Sequence, residues 1–441
     1  MTSDLIIIGS GPGGYRAAAY AAAQGLTVTI IERGEVGGTC LNRGCIPTKT
    51  LCHHAELVDM LRKAGTFGIS DLSFALDFPA MMERKRQVVQ TLRQGVETLM
   101  KAPGITLLKG TAAFTDAHTV TVDGQTLTAP HIIIATGSKA KMLPIPGADS
   151  SIVVSSDQLL DTDAIPPRMC IIGAGVIGME FASIFSSLGT KVTVVEYLKE
   201  CLPMLDSDIA KRLRQTIARR GVDFIMQAAV KEIAPDGVVY ERKGKTAKVE
   251  TDKVLMATGR TPCTDGLCLE KAGIETAKGA IVTDEHLETN VKGVYAIGDV
   301  NGRQMLAHAA TAQGLHVVDH IMQQQCPTPY SLVPAAIFTS PQAACVGMSE
   351  DDCKAQGTDY VCRKGYYRAN GKAVATGETD GLVKLLEGAD GRILGCHIYG
   401  DHAADMVQEV TALMACGATV GQLRHIIHIH PTLGEILQEV R

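Results

Sequence analysis

The sequence predicts an α/β fold in which a strand–glycine turn–helix–strand unit occurs twice and a smaller α+β region follows. Three observations carry that prediction. Gly-x-Gly-x-x-Gly follows a branched apolar run at Gly9–Gly14 and again at Gly173–Gly178. Each copy ends on an acid, Glu32 or Glu196, 23 residues after its first glycine (9 to 32 and 173 to 196). The chain is also 46% apolar with 45 glycines, the composition of a well-cored protein with many tight turns.

Taken in order, residues 4–8 (Asp-Leu-Ile-Ile-Ile) read as a buried strand, and the alanine-rich stretch from Arg16 to Gln24 as a helix stopped by Gly25. Thr27 to Ile31 is a second strand, ending on Glu32. The unit then recurs: Met169 to Ile172 is a strand, a helical stretch runs to Leu188-Gly189, and Lys191 to Val195 is a strand ending on Glu196. In such a unit the first glycine permits a tight turn and the second lets the backbone approach a pyrophosphate. The third allows close helix–strand packing, while the helix N-terminus offers N–H groups to the phosphates. The terminal carboxylate accepts hydrogen bonds from an adenosine ribose. Gly9, Gly11, Gly14 and Glu32 thus form one candidate dinucleotide site, and Gly173, Gly175, Gly178 and Glu196 a second. Two Rossmann-like domains and two nucleotide cofactors are implied. Glu196 would repel a 2′-phosphate, with only Lys199 as a nearby cation, so NAD is expected there rather than NADP.

Residues 132–138 and 254–260 repeat a strand-to-turn design, reaching Thr136-Gly137-Ser138 and Thr258-Gly259-Arg260. Val294 to Ile297 is a further strand, ending in Gly298-Asp299. Pro144 and Pro146-Gly147 mark the crossover to a second domain, and the chain is expected to return to the first near residue 265. Residues 325–329, Gln-Cys-Pro-Thr-Pro, lead into a final domain where Gly381 to Leu386 and Ile393 to Ile398 read as antiparallel strands. The resulting segments are 1–143, 144–265, 266–328 and 329–441.

A length of 441 residues suits roughly three domains. With 42 basic and 47 acidic residues the net charge is −5, which argues against nucleic-acid and anionic-membrane partners. No apolar run approaches the roughly 18 residues of a membrane span. Asp4 precedes the first apolar run with no basic segment before it, so no signal peptide and a cytoplasmic location are expected. Thirteen scattered cysteines fit free thiols in a reducing compartment.

Two of those thiols stand apart. Cys40 and Cys45 lie in Gly37-Gly38-Thr39-Cys40-Leu41-Asn42-Arg43-Gly44-Cys45-Ile46-Pro47-Thr48-Lys49, just after the first dinucleotide unit. Inert thiols, or zinc held with Cys52, His53 and His54, are the alternatives, although the spacing is irregular for zinc and no metal is expected. Residues five apart in an ideal helix lie roughly 8–9 Å apart, beyond disulfide reach, so a bridge would need an irregular turn through Asn42-Arg43-Gly44. Pro47 fits a first helical turn, which would place a thiolate near a helix N-terminus and able to donate to an adjacent flavin. Near the end of the chain, Glu435 follows His430 by five residues, so a carboxylate could hold an imidazole in one tautomer as a base for thiol chemistry. His425, His428 and His430 could equally be core, surface or metal-chelating residues.

These motifs, with Ala296-Ile297-Gly298-Asp299 and residues 430–435 (His-Pro-Thr-Leu-Gly-Glu), resemble the pyridine nucleotide–disulfide oxidoreductases over nearly the whole chain, from about residue 4 to 437. Within that family the pattern is most similar to the branch that oxidises dihydrolipoyl groups with NAD. The resemblance implies an FAD domain, an NAD domain, a return to the FAD domain, and a C-terminal α+β dimerisation domain. It assigns Gly9, Gly11, Gly14, Glu32, Gly38, Thr39, Lys49, Thr136, Gly137, Ser138, Asp299 and Ala307 to FAD. It assigns Gly173, Gly175, Gly178, Glu180, Glu196, Val230 and Gly259 to NAD, with Lys49 and Glu180 a pair between flavin and nicotinamide. Cys40 becomes the interchange thiol and Cys45 the thiol against the flavin. His430 with Glu435 reaches the partner subunit's Cys40 in a homodimer. The implied partners are lipoyl domains of 2-oxo acid dehydrogenase complexes or the lipoylated protein of glycine cleavage. Arg43 departs from a position that is often small and apolar. The competing readings are a glutathione-type disulfide reductase, a flavoenzyme without disulfide chemistry, and a structural subunit.

Overall fold

The computed structural model describes residues 3–324, 330 and 332–441, so the turn expected at 325–329 lies outside the described residues. Two compact units emerge. The first comprises Met1–Thr50, Pro79–Lys141 and Arg260–Tyr330, and the second Leu51–Phe78, Met142–Gly259 and Ser331–Arg441.

The first unit is built on a five-stranded parallel sheet in the order Val294–Ala296, His131–Ile134, Leu5–Ile8, Val28–Glu32, Ile105–Lys109. Its central strand, Leu5–Ile8, is buried throughout, as expected for a parallel strand covered on both faces. Alternate side chains serve different cores. Leu5 and Ile7 pack with Ala17, Ala18, Ala21 and Val317 under the helices Pro12–Ala23 and Ala307–Ile321. Ile6 and Ile8 pack with Phe114, Val120 and Leu127 of a three-stranded antiparallel sheet. The two helices approach closely because glycines face each other. A Cβ on Gly314 would stand 2.9 Å from the Gly13 carbonyl oxygen.

The second unit repeats the plan. Asp223–Met226, Lys191–Glu196, Arg168–Ile172, Lys253–Met256 and Val153–Val154 form a parallel sheet in that order. The same unit carries a five-stranded antiparallel sheet, ordered Ala335–Ile337, Gln342–Gly347, Ile393–Gly400, Leu382–Gly388, Tyr360–Tyr366. Leu382–Gly388 and Ile393–Gly400 are the antiparallel pair read from the sequence. Helix Ala403–Ala415 packs on this sheet around Val383, Leu385 and Val407. No helix among the described residues is long and apolar enough to cross a membrane.

Candidate functional site

The two glycine turns superpose in their constraints. Gly9 and Gly173 both take φ +105°, where a Cβ would lie 2.4 and 2.5 Å from the carbonyl oxygens of Ala135 and Ala257. On Gly14 and Gly178 it would lie 1.9 and 2.0 Å from the oxygens of Gly9 and Gly173. These four glycines are demanded by the chain's own backbone. The middle glycines are not. Gly175 has an ordinary φ of −75° and nothing within 4 Å of a Cβ, and Gly11 meets only the Gly38 Cα, at 4.0 Å. Both precede the first turn of a 12-residue helix, Pro12–Ala23 or Val176–Ser187. The space kept clear there, beside unpaired helix N–H groups, fits a pyrophosphate.

The acids close each turn. The Glu32 carboxylate accepts from Ser10 N at 2.9 Å, Ser10 Oγ at 2.7 Å and Gly34 N at 2.7 Å. That of Glu196 accepts from Ala174 N at 2.5 Å and Leu198 N at 2.7 Å. A carboxylate has about four acceptor positions, so each retains capacity for a ribose hydroxyl.

The cysteine segment lies directly against the first turn. Gly37 N donates to Ser10 O at 2.9 Å, and a Cβ on Gly38 (φ +61°) would sit 2.6 Å from the Gly11 Cα. Cys40 rides on the short helix Gly38–Arg43, and Cys45 opens the long helix Cys45–Lys63. The break between them is narrower than the irregular turn expected from sequence: Asn42 and Arg43 are helical, and Gly44 alone interrupts. A Cβ there would crowd Thr39 O at 3.0 Å and the Cys40 Cα at 3.3 Å. Both cysteines are free thiols and partly buried. The neighbouring Cys45 sulfur, as hydrogen-bond partner, and burial push the Cys40 thiol up, against the pull of Lys49. Arg43 is exposed.

Five further predicted residues lie in the same unit. Ser138 Oγ donates to the Asp299 carboxylate, and Arg260 Nε donates to Ser138 Oγ at 2.7 Å and lies 3.8 Å from Asp299. Thr136 Oγ1 donates to Cys263 O at 2.7 Å, leaving Gly137 (φ +70°) with an open face. Ala307 is the first residue of its helix. The sequence reading gave Arg260 no site role: it fell within the 144–265 segment, whereas the fold puts it in the first unit, bonded to Ser138.

In the second unit, Glu180 is buried on the helix behind Gly178 and accepts from Phe338 N at 3.0 Å. Lys49 belongs to the first unit. Val230 lies in strand Ala229–Ala234, and Gly259 takes φ +98° with no atom near a Cβ. His430 Nδ1 is 2.9 Å from Glu435 Oε1, while Thr432 N donates to Glu435 Oε2 at 2.8 Å. That backbone N–H, then His430, holds the Glu435 carboxyl below its usual range. The His430 side chain is 78% exposed, flanked by Ile429 at 79%. A second pair went unseen in the sequence: His428 Nε2 meets Glu409 Oε1 at 2.9 Å, 19 residues away. Among the described residues no group of three or more His, Cys, Asp or Glu side chains is placed to hold a metal ion.

Comparison with known proteins matches both parts of the chain. Residues 3–314 match the family described as pyridine nucleotide-disulphide oxidoreductase, and residues 333–441 its dimerisation domain. A dihydrolipoyl dehydrogenase from Chlamydia muridarum is 39% identical, covering 99% of this chain and 95% of its own. Dihydrolipoyl dehydrogenase 3 from Haloarcula marismortui is 38% identical with the same coverage. Among solved structures, the HOCl-induced flavoprotein disulfide reductase RclA from Escherichia coli is similar at a TM-score of 0.88 and 31% identity, with 99% of each chain covered.

Proposed function

The chain belongs to the pyridine nucleotide-disulphide oxidoreductases, and from that premise we propose that it oxidises dihydrolipoyl groups while reducing NAD, with FAD between them. The observation that carries the reading is the thiol pair seated against the first glycine turn, in a chain similar over its whole length to dihydrolipoyl dehydrogenases.

The chemistry assigned to this chain's residues is thiol–disulfide exchange. A substrate thiolate attacks Cys40 Sγ of the oxidised pair, the Cys40–Cys45 bond breaks, and Cys45 leaves as a thiolate. The second substrate thiol then attacks the mixed disulfide, releasing a lipoyl disulfide and Cys40. Of the two substrate protons, one ends on Cys40 and the other is removed by His430 acting as base. Glu435 holds the imidazole in the tautomer that frees Nε2 for this work. Reoxidation of the pair releases the Cys40 proton and two electrons. Bound FAD supplies the route by which those electrons reach NAD as a hydride.

FAD falls to the first glycine turn with Glu32, Thr39, Ser138, Asp299 and Ala307, and NAD to the second with Glu180, Glu196, Val230 and Gly259. The C-terminal domain is of the dimerisation type, and the exposed His430 serves Cys40 of the partner subunit in a homodimer. Protein-bound lipoyl groups of 2-oxo acid dehydrogenase or glycine cleavage assemblies are the partners, and the cytoplasm the compartment, that this reading expects.

The test is an anaerobic titration of the holoenzyme with dihydrolipoamide, followed by NAD. Long-wavelength absorbance of a thiolate beside a flavin, discharged as NADH forms, is the expected result. A flavoprotein that ignores dihydrolipoamide but oxidises NADH in the presence of another disulfide overturns the substrate assignment.

A further inference from the structure

The helix that carries Cys40 has six residues, too few to persist on its own. What holds it is Asn42. Its amide nitrogen donates to Val36 O and Gly38 O, both at 2.9 Å, so one side chain ties the helix to the backbone before and within the Gly37-Gly38 turn. These bonds require the amide to face one way. In the flipped orientation its oxygen would confront two carbonyl oxygens.

The orientation is set from outside the segment. Arg93, on helix Phe78–Leu99, donates through Nε to Asn42 Oδ1 at 2.9 Å. A guanidinium has donors only, so it accepts only the oxygen end of the amide. Its NH1 also lies 3.6 Å from Glu35 Oε2, so the cation bridges the two ends of the turn. The pair it braces here is unbridged.

We propose that Arg93 is a positioning residue for the redox pair, acting through Asn42, and that it favours the dithiol over the disulfide. The inference rests on the redox role given to Cys40 and Cys45 above. The clamp holds the short helix in the geometry in which the two cysteines stand as thiols.

The experiment uses the FAD-loaded enzyme, equilibrated anaerobically in dithiothreitol redox buffers, quenched by alkylation, and scored for modified Cys40 and Cys45 by peptide mass. Arg93→Ala is expected to lower the dithiol:disulfide ratio roughly tenfold at a given buffer, which for a two-electron couple is about 30 mV. Arg93→Gln, which keeps an N–H for Asn42 without the charge, is expected to fall between, and it serves if the alanine variant fails to fold. Asn42→Ala should reproduce the shift, and the double variant should add nothing to it. An unchanged ratio in both Arg93 variants overturns the proposal even if turnover drops, as does full additivity of the two sites. A wild-type pair that does not exchange with the buffer overturns the redox assignment itself, and this inference with it.

Discussion

At the scale of single residues, the preference for NAD proposed above is assigned to one carboxylate. Glu196 is buried at the end of its strand, both oxygens tied to backbone N–H groups, so it cannot swing away from an incoming phosphate. Glu196→Gln removes the charge and keeps one of the two backbone bonds, its amide nitrogen being unable to accept from the other N–H. NADP-dependent kcat/KM is expected to rise about tenfold, the equivalent of about 1.4 kcal/mol, while the NAD value falls slightly. Steady-state kinetics with both nucleotides checks this, and an unchanged ratio places selection elsewhere. The imidazole pair offers a second test. His430→Gln should cost roughly 10²–10⁴ in kcat/KM for dihydrolipoamide, the usual range for a general base. NADH oxidation by a small artificial electron acceptor, which bypasses the dithiol exchange, should survive in the same variant.

At the scale of elements, the glycine turns divide by what excludes a side chain. Gly178→Ala would drive a Cβ to 2.0 Å from the Gly173 carbonyl oxygen, and should destabilise by about 1–3 kcal/mol or more as the helix is pushed off its strand. Gly175→Ala meets no protein atom. A poorer N-cap and a stiffer unfolded chain oppose each other, each below about 1 kcal/mol, so stability should hardly move. NAD binding should nonetheless weaken. Melting curves with nucleotide titrations separate the two, and a large loss of stability in Gly175→Ala would contradict the assignment of that space to a ligand. This contrast also marks what the sequence could reveal. The turns were legible because the positive φ of Gly9 and Gly173, and the contacts of Gly14 with Gly9 and of Gly178 with Gly173, act within a few residues. The carbonyls of Ala135 and Ala257, which also exclude a side chain, lie far along the chain. The break between the cysteines was legible in kind but not in extent, since Gly44 is needed for its contact with Thr39 and Cys40 rather than for an unusual φ. Arg93 on Asn42 and Arg260 on Ser138 could not be seen at all. These are ordinary residue types joined 51 and 122 positions apart, and nothing local distinguishes them from solvated arginines.

At the scale of the molecule, a buried polar cluster fastens the second unit together and makes its stability depend on pH. Lys384, on the antiparallel sheet, lies 2.6 Å from Asp206 and also pairs with Glu350. Asp206 caps helix Ser207–Arg219, and its own N–H donates to His397 Nδ1 at 3.0 Å, while His397 Nε2 is 3.2 Å from Met348 O. The ring is therefore neutral, an acceptor on one side and a donor on the other. Burial pushes His397 below the ordinary 6.5, against the pull of Asp206 and Asp352 and with the help of Lys384. Between the unfolded and folded values the unfolded chain binds the extra proton. The contribution is thus complete above pH 6.5 and declines as pH falls from there toward the folded value. Protonation also turns Nδ1 into a donor facing the Asp206 N–H, breaking that bond. Glu350 acts in a lower window. Burial raises it, but Lys384 and Tyr360 outweigh burial and hold it below 4.5, so its share is lost only as pH falls through that lower value. Urea unfolding between pH 7.5 and 5 should show stability declining by on the order of 1 kcal/mol per unit of the His397 displacement. His397→Gln, which cannot titrate, should flatten that decline while keeping the loss below pH 4.5. A slope that persists unchanged in His397→Gln would move the pH sensitivity to another group and leave His397 a structural acceptor alone.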